Sequence, residues 1–197
     1  MLKFLKMGLL GVMVVLPASA AAQFDPGATV VTLNVNYATG KIESNENRYD
    51  GWGFSGTFEK MLTDNQWSVA FTAAWLTSSL TNTDNVSGAT VQTDISTVPV
   101  FISGRYNTGN RSVRAYLGLG LGMAAAWVNT SVLDTNGLQS YSTKTDPGVA
   151  MAIPLGLWIR LSDKAYVNIN YTPYFAFRND IIDGATHILS LGFTFPD

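Results

Sequence analysis

Four groups of residues in this chain have side chains that could do chemistry. The first is the one histidine, His187, which precedes Ser190 by three positions. A hydroxyl activated by an imidazole is the minimal equipment of a nucleophilic hydrolase. On a strand, a separation of three puts side chains on opposite faces, so these two cannot form a local nucleophile–base pair. A hydroxyl from another strand stays open. The second group is Glu59, Arg105, Arg114 and Arg160, which fall on one face of their strands near one end. A buried charge costs several kcal/mol unless it is paired, so Glu59 is expected to bridge two or more of these arginines. Such a set either seals an interior as a stabilising network or forms the charge-selective constriction of a pore.

The third group is the carboxylates of the connecting segments. These segments carry nine acids (Glu43, Glu46, Asp50, Asp84, Asp94, Asp134, Asp146, Asp180 and Asp183) against four bases (Lys41, Arg48, Lys144 and Arg178). They could be a solvated rim. They could also share divalent cations with the phosphates of a neighbouring molecule through oxygen ligands. The fourth group consists of motif fragments. Gly51-Trp52-Gly53-Phe54-Ser55-Gly56 fits the dinucleotide fingerprint by letter, but no strand–helix–strand unit surrounds it. Asp134-Thr135-Asn136-Gly137 has the opening of a calcium loop without the remaining ligands, and reads as turn chemistry. Neither a cofactor nor a resident metal is expected.

The elements that must position these groups are strands. Between Val30 and Phe195, eight runs of roughly ten residues alternate apolar or aromatic positions with small or polar ones, which is the side-chain period of a β-strand. Val31, Leu33, Val35 and Tyr37 alternate with Thr32, Asn34 and Asn36; Trp67, Val69, Phe71, Ala73 and Trp75 alternate with Ser68, Ala70, Thr72 and Ala74. The strands are expected at 29–40, 49–61, 66–77, 93–106, 112–127, 148–161, 165–176 and 186–195. Tight polar turns at 62–65, 107–111 and 162–164 alternate with longer polar segments at 41–48, 78–92, 128–147 and 177–185. An even number of strands, with short turns on one side and long loops on the other, describes an all-β, eight-stranded antiparallel up-and-down transmembrane barrel with its termini in the periplasm.

A soluble lipocalin-like barrel alternates as well, but two features separate the readings. The apolar face carries aromatics at both ends. Phe58, Trp67, Tyr106, Phe193 and Phe195 fall near the turn side, and Tyr37, Trp52, Trp75, Trp127 and Tyr171 near the loop side. Two such girdles are what two membrane–water interfaces select. The opposite face (Asn34, Asn36, Thr72, Gly118, Gly120, Gly122, Asn168, Asn170) would make a poor soluble core. Eight strands leave an interior that side chains nearly fill. Phe101, Tyr116, Trp158 and Tyr166 are expected to fill it beside inner-face glycines.

The amino terminus sets the expected compartment. Lys3 and Lys6 precede an apolar Gly8–Leu16 stretch, and Ala18-Ser19-Ala20-Ala21-Ala22 follows Pro17. This reads as a secretory signal peptide over residues 1–22, cleaved before Gln23 or alternatively after Ala20, with residues 23–197 forming one barrel domain. Removing it takes away two lysines and no acid, moving the formal charge from −2 to −4. A mildly acidic chain without a basic tract is a poor nucleic-acid partner. With no cysteine, an exported domain must draw its stability from ladder closure and packing.

Three segments carry a family resemblance: Val98-Pro99-Val100-Phe101-Ile102-Ser103-Gly104-Arg105-Tyr106, Val113-Arg114-Ala115-Tyr116-Leu117-Gly118-Leu119-Gly120-Leu121-Gly122, and Leu189-Ser190-Leu191-Gly192-Phe193-Thr194-Phe195. With the signal peptide, they make the chain resemble the small eight-stranded outer-membrane proteins grouped as the outer-membrane β-barrel domain, opacity-type adhesins included. The resemblance implies assembly by the barrel-insertion machinery, which reads the closing strand. Family members usually end on an aromatic, whereas Pro196 and Asp197 follow Phe195 here. The function expected is a non-enzymatic, monomeric outer-membrane protein that serves envelope structure or surface interaction, with lipid and lipopolysaccharide around it and a loop ligand outside. The alternatives are a narrow channel for small or apolar solutes, and a lipid A deacylase or acyltransferase, which would need His187 near a hydroxyl and an acid.

Overall fold

The computed structural model describes residues 24–42, 45–62, 66–83, 89–110, 112–133, 139–177 and 182–197. The expected signal peptide and calcium-like tetrapeptide lie outside them, as do Glu43, Asp84, Asp134, Arg178 and Asp180.

Among the described residues, nine strands follow one another: β1 (Thr29–Ile42), β2 (Asn45–Met61), β3 (Trp67–Thr83), β4 (Thr90–Gly109), β5 (Val113–Leu133), β6 (Gln139–Ala152), β7 (Leu155–Ser162), β8 (Ala165–Phe177) and β9 (Ile182–Pro196). Each pairs antiparallel with its neighbours, and β9 returns to β1, so the ladder is hydrogen-bonded all the way round. β6 and β7 are one crossing with a break at Ile153–Pro154. Gly120 opposes Ala152 and Leu117 opposes Leu155, a register carried unchanged across the break. Proline has no N–H for the ladder, which interrupts the strand without shifting it. Two bonds bridge the gap, Gly118 N–H to the Pro154 carbonyl at 2.8 Å and Ile153 N–H to the Pro173 carbonyl at 3.0 Å. The nine segments therefore make the eight crossings that the alternation predicts.

The strands are longer than expected at the loop end. Most of the segments 41–48, 78–92, 128–147 and 177–185 belongs to strands; for example, Thr83 pairs Thr90 and Leu133 pairs Gln139. Serine, threonine and asparagine runs resemble loops by composition. Beyond the membrane, however, a hairpin has no need of an apolar face, and β-branched threonine suits an extended backbone.

The strands also tilt. Directly opposed positions run from Thr29 through Lys60, Val69, Gly104, Leu119, Ile153, Pro173 and His187, and return to β1 at Thr39, ten residues further along. Such a stagger corresponds to a tilt of roughly 40°. Two residues on the same face of different strands therefore share a height only if the climb between them is taken into account.

The outer surface is a continuous apolar belt. Leu33, Phe54, Phe71, Ile102, Leu119, Leu121, Leu191 and Phe193 are all exposed, although each would be a core residue in a water-soluble protein. Leu119 is 59% exposed near mid-belt. Leu119→Arg is expected to cost about 2–4 kcal/mol of folding stability in bilayers, as charges do at the midplane of a barrel's lipid face. Denaturant titration in lipid vesicles measures this, and a neutral result would contradict burial of that face in lipid.

Candidate functional site

The lumen is filled from the periplasmic end upward. Phe24, Val30, Met61, Tyr116, Trp158 and Tyr166 form one buried cluster. The Tyr116 and Trp158 rings lie 4.6 Å apart, and Phe24 meets Trp158 edge-on at 5.4 Å and Tyr166 at 5.2 Å. Phe24 precedes the first strand, where no alternation announces it, and sequence reasoning missed it. Tyr116 fits because Gly156 faces it: a Cβ on Gly156 would stand 2.5 Å from the tyrosine oxygen.

Three of the four charged residues, Glu59, Arg105 and Arg114, lie around this cluster. Glu59 and Arg105 are 1% and 3% exposed and join at 2.7 Å. Glu59 also accepts a bond from the Ser68 hydroxyl. Arg105 donates to Ser103 at 3.3 Å and Thr72 at 3.3 Å, and its guanidinium lies 4.9 Å from the Tyr116 ring centre. A buried ion pair with its remaining donors satisfied is the arrangement that such a charge requires. Arg114 is buried in the same region, with its guanidinium 4.5 Å from the Phe24 ring centre and 5.8 Å from that of Trp158.

Arg160 departs from expectation. Its side chain is a third exposed and pairs with Asp163 in the β7–β8 turn, away from Glu59. It has the right parity for the inner face, but the stagger sets it lower, at the rim, where the turn supplies a nearer carboxylate.

Above the cluster the lumen turns polar. Thr32 and Thr194 share a bond at 2.8 Å, Thr57 and Thr72 one at 2.9 Å, and Ser55 links Asn34 and Asn36. Two cavities of about 20 Å³ each lie here, sharing Thr72, Phe101, Asn170 and Thr172 as walls. Each has room for about one water. Towards the loop end Phe101 packs at 5.7 Å on Tyr174, within a cluster containing Leu76 and Ile188. The Tyr49 hydroxyl bonds that of Thr186 at 2.7 Å. Tyr49 and Tyr174 are further lumen-filling residues that the sequence reading did not name, although their parity matches that of their inward neighbours.

The girdle residues all face outward. Tyr37 packs on Trp52 at 5.1 Å on the loop side, and Trp67 on Tyr106 at 5.2 Å on the turn side. Phe58, Trp75, Phe193 and Phe195 are exposed, and Trp127 and Tyr171 are partly so. The expected loop-side girdle is not level, because the stagger sets Trp127 four strands up the climb from Tyr37 and Tyr171 two strands down it. Of the histidine–serine pair, His187 is outward and exposed while Ser190 is buried in the lumen. The His187 ring stacks on Tyr171, and its Nδ1 lies 2.6 Å from the tyrosine oxygen. In register, Thr39 stands between His187 on β9 and Asp50 on β2. The G-x-G-x-x-G segment lies wholly within β2.

The family model described as outer membrane protein beta-barrel domain matches residues 8–195. Among solved structures, the outer membrane protein OprG from Pseudomonas aeruginosa is similar over 90% of this chain and 99% of its own, at 13% identity with a TM-score of 0.61. Neisserial surface protein A is similar over 86% and 98%, at 17% identity and a TM-score of 0.57. Ail, the attachment invasion locus protein of Yersinia pestis, solved with the heparin analogue sucrose octasulfate, is similar over 86% and 99%, at 15% identity and 0.52. At these identities the likeness is one of fold. No curated protein matches the chain.

Proposed function

Because the chain belongs to the outer membrane protein β-barrel domain family and is an integral outer-membrane protein, we propose that it is a sealed, non-catalytic barrel. It serves envelope integrity or surface interaction through its extracellular hairpins. The observation that carries this reading is the filled lumen: Phe24, Tyr116, Trp158 and Tyr166 stacked across one end and braced by Glu59–Arg105. A conducting interior would need a continuous polar path, whereas the two cavities described between Thr72 and Phe101 each have room for about one water. Residues 1–22 direct export, the insertion machinery reads β9, and the mature barrel works as a monomer among lipopolysaccharide and lipid.

Two observations weigh against the lipid A-modifying alternative. An acid orients a catalytic imidazole by bonding it directly. Here the order across the strands is carboxylate, hydroxyl, imidazole, so Asp50 is on the far side of Thr39 from His187. The Nδ1 that such an acid would bind is engaged by Tyr171. Expression of the full chain in a Gram-negative host tests the proposal. The protein is expected in the outer-membrane fraction with a heat-dependent gel mobility, and the lipid A mass spectrum is expected to be the same with wild type, His187→Ala and empty vector. A lipid A change that depends on His187 would overturn the non-catalytic reading.

A further inference from the structure

Above the outer girdle, the strands on one side of the barrel leave the membrane as a tall sheet. Beyond Trp127, the β5–β6 ladder continues for six pairs, from Val128–Lys144 to Leu133–Gln139. At about 3.3 Å per residue and the tilt above, it rises on the order of 15 Å beyond Trp127, which the same stagger already sets above Tyr37 and Trp52. β3 and β4 accompany it, from Thr77–Ser96 to Thr83–Thr90. The two faces of this sheet differ. The inward face carries Ile95 and Val128, buried or half-buried. The outward face carries Ser79, Gln92, Asn129, Ser131, Tyr141 and Thr143, and among its described residues from Thr77 to Thr145 only Asp94 is charged.

A merely solvated strand face is usually kept soluble by lysine and glutamate. Hydroxyls and amides, which both donate and accept, instead match the vicinal hydroxyls of a sugar. Tyr141, 74% exposed among them, offers a flat ring for a sugar's C–H face. The face is also continuous with the lipid-facing belt: the exposed Leu121 and Met123 and, above them, Trp127, Asn129, Ser131 and Leu133 follow along one side of β5. It therefore stands in the layer occupied by the saccharide part of the outer leaflet.

We infer that the outward face of the β3–β6 extension is a docking surface for the uncharged saccharide of neighbouring lipopolysaccharide. This rests on the reading of the chain as an outer-membrane protein. Failure of that reading would appear separately, as loss of the heat-dependent gel mobility. The rigid sheet presents its donors and acceptors in fixed register, which lowers the ordering cost of binding. The lone Asp94 disfavours anionic sugars.

The test titrates the refolded full chain in phospholipid vesicles with the neutral oligosaccharide cleaved from lipopolysaccharide, a sulfated oligosaccharide, or buffer, following tryptophan fluorescence or calorimetric heat. Saturable binding of the neutral oligosaccharide is expected, with Tyr141→Ala weakening it about tenfold, the value of one stacked ring. Asn129→Ala/Thr143→Ala is expected to weaken it as well, and removes the Asn129–Thr143 hydrogen bond of 3.0 Å from the exposed surface, where folding depends on it little. Binding of the sulfated sugar alone, equal binding by wild type and Tyr141→Ala, or no binding by a correctly folded barrel would each overturn the inference.

Discussion

Glu59→Ala is expected to cost the barrel about 3–5 kcal/mol, the range for removing one partner of a buried ion pair. Three consequences combine at this one site. Arg105 keeps its charge at 3% exposure with its nearest anion gone. The Ser68 hydroxyl, also bonded by the Asn107 amide at 3.0 Å, loses its acceptor. The arginine's hold on Thr72 and Ser103, which ties β4 to β3, must rearrange. Denaturant unfolding in lipid vesicles measures the loss. A second variant separates pair-breaking from simple loss of charge. Glu59→Met/Arg105→Met removes both ions while filling the space, and such replacement of a whole buried pair is often neutral or stabilising. Most of the single-variant loss is therefore expected to return. If Glu59→Ala leaves stability untouched, the charge pair does not brace the lumen.

Trp158→Ala is expected to cost a similar amount, about 3–5 kcal/mol, for a different reason. Trp158 is 1% exposed and touches the rings of Tyr116 and Phe24 and the guanidinium of Arg114. Truncating a large buried aromatic removes its transfer energy and leaves a cavity that a barrel wall, held by its ladder, cannot close around. The outward-facing Trp75→Ala makes an informative control. Trp75 gives up lipid contact at the interface without opening a void, so its loss is expected to be smaller. Equal losses for the two tryptophans would mean that the lumen is not packed as described.

The faces of the strands were legible because a period of two is a local property. Leu33 and Val35 outward against Asn34 and Asn36 inward follows from the letters, as does the shared face of Glu59 and Arg105. Height was not legible. It depends on the ten-residue stagger accumulated around the ring, which no single strand encodes. Arg160 therefore had the right parity and the wrong partner. Strand ends were obscured for a related reason: above the membrane the hairpin β5–β6 has no lipid face to keep apolar, so Asn129–Val132 and Ser140–Thr143 look like loop while pairing as ladder. Phe24 was invisible because it acts before the pattern begins.

The central claim is a barrel sealed by its own side chains, and conductance of the refolded full chain in planar lipid bilayers tests it most directly. The structure predicts a silent bilayer for wild type, with openings seen at most in Trp158→Ala or Glu59→Ala. Regular unitary current steps from the wild-type protein, at neutral pH and moderate salt, would contradict it and make a narrow channel the better account.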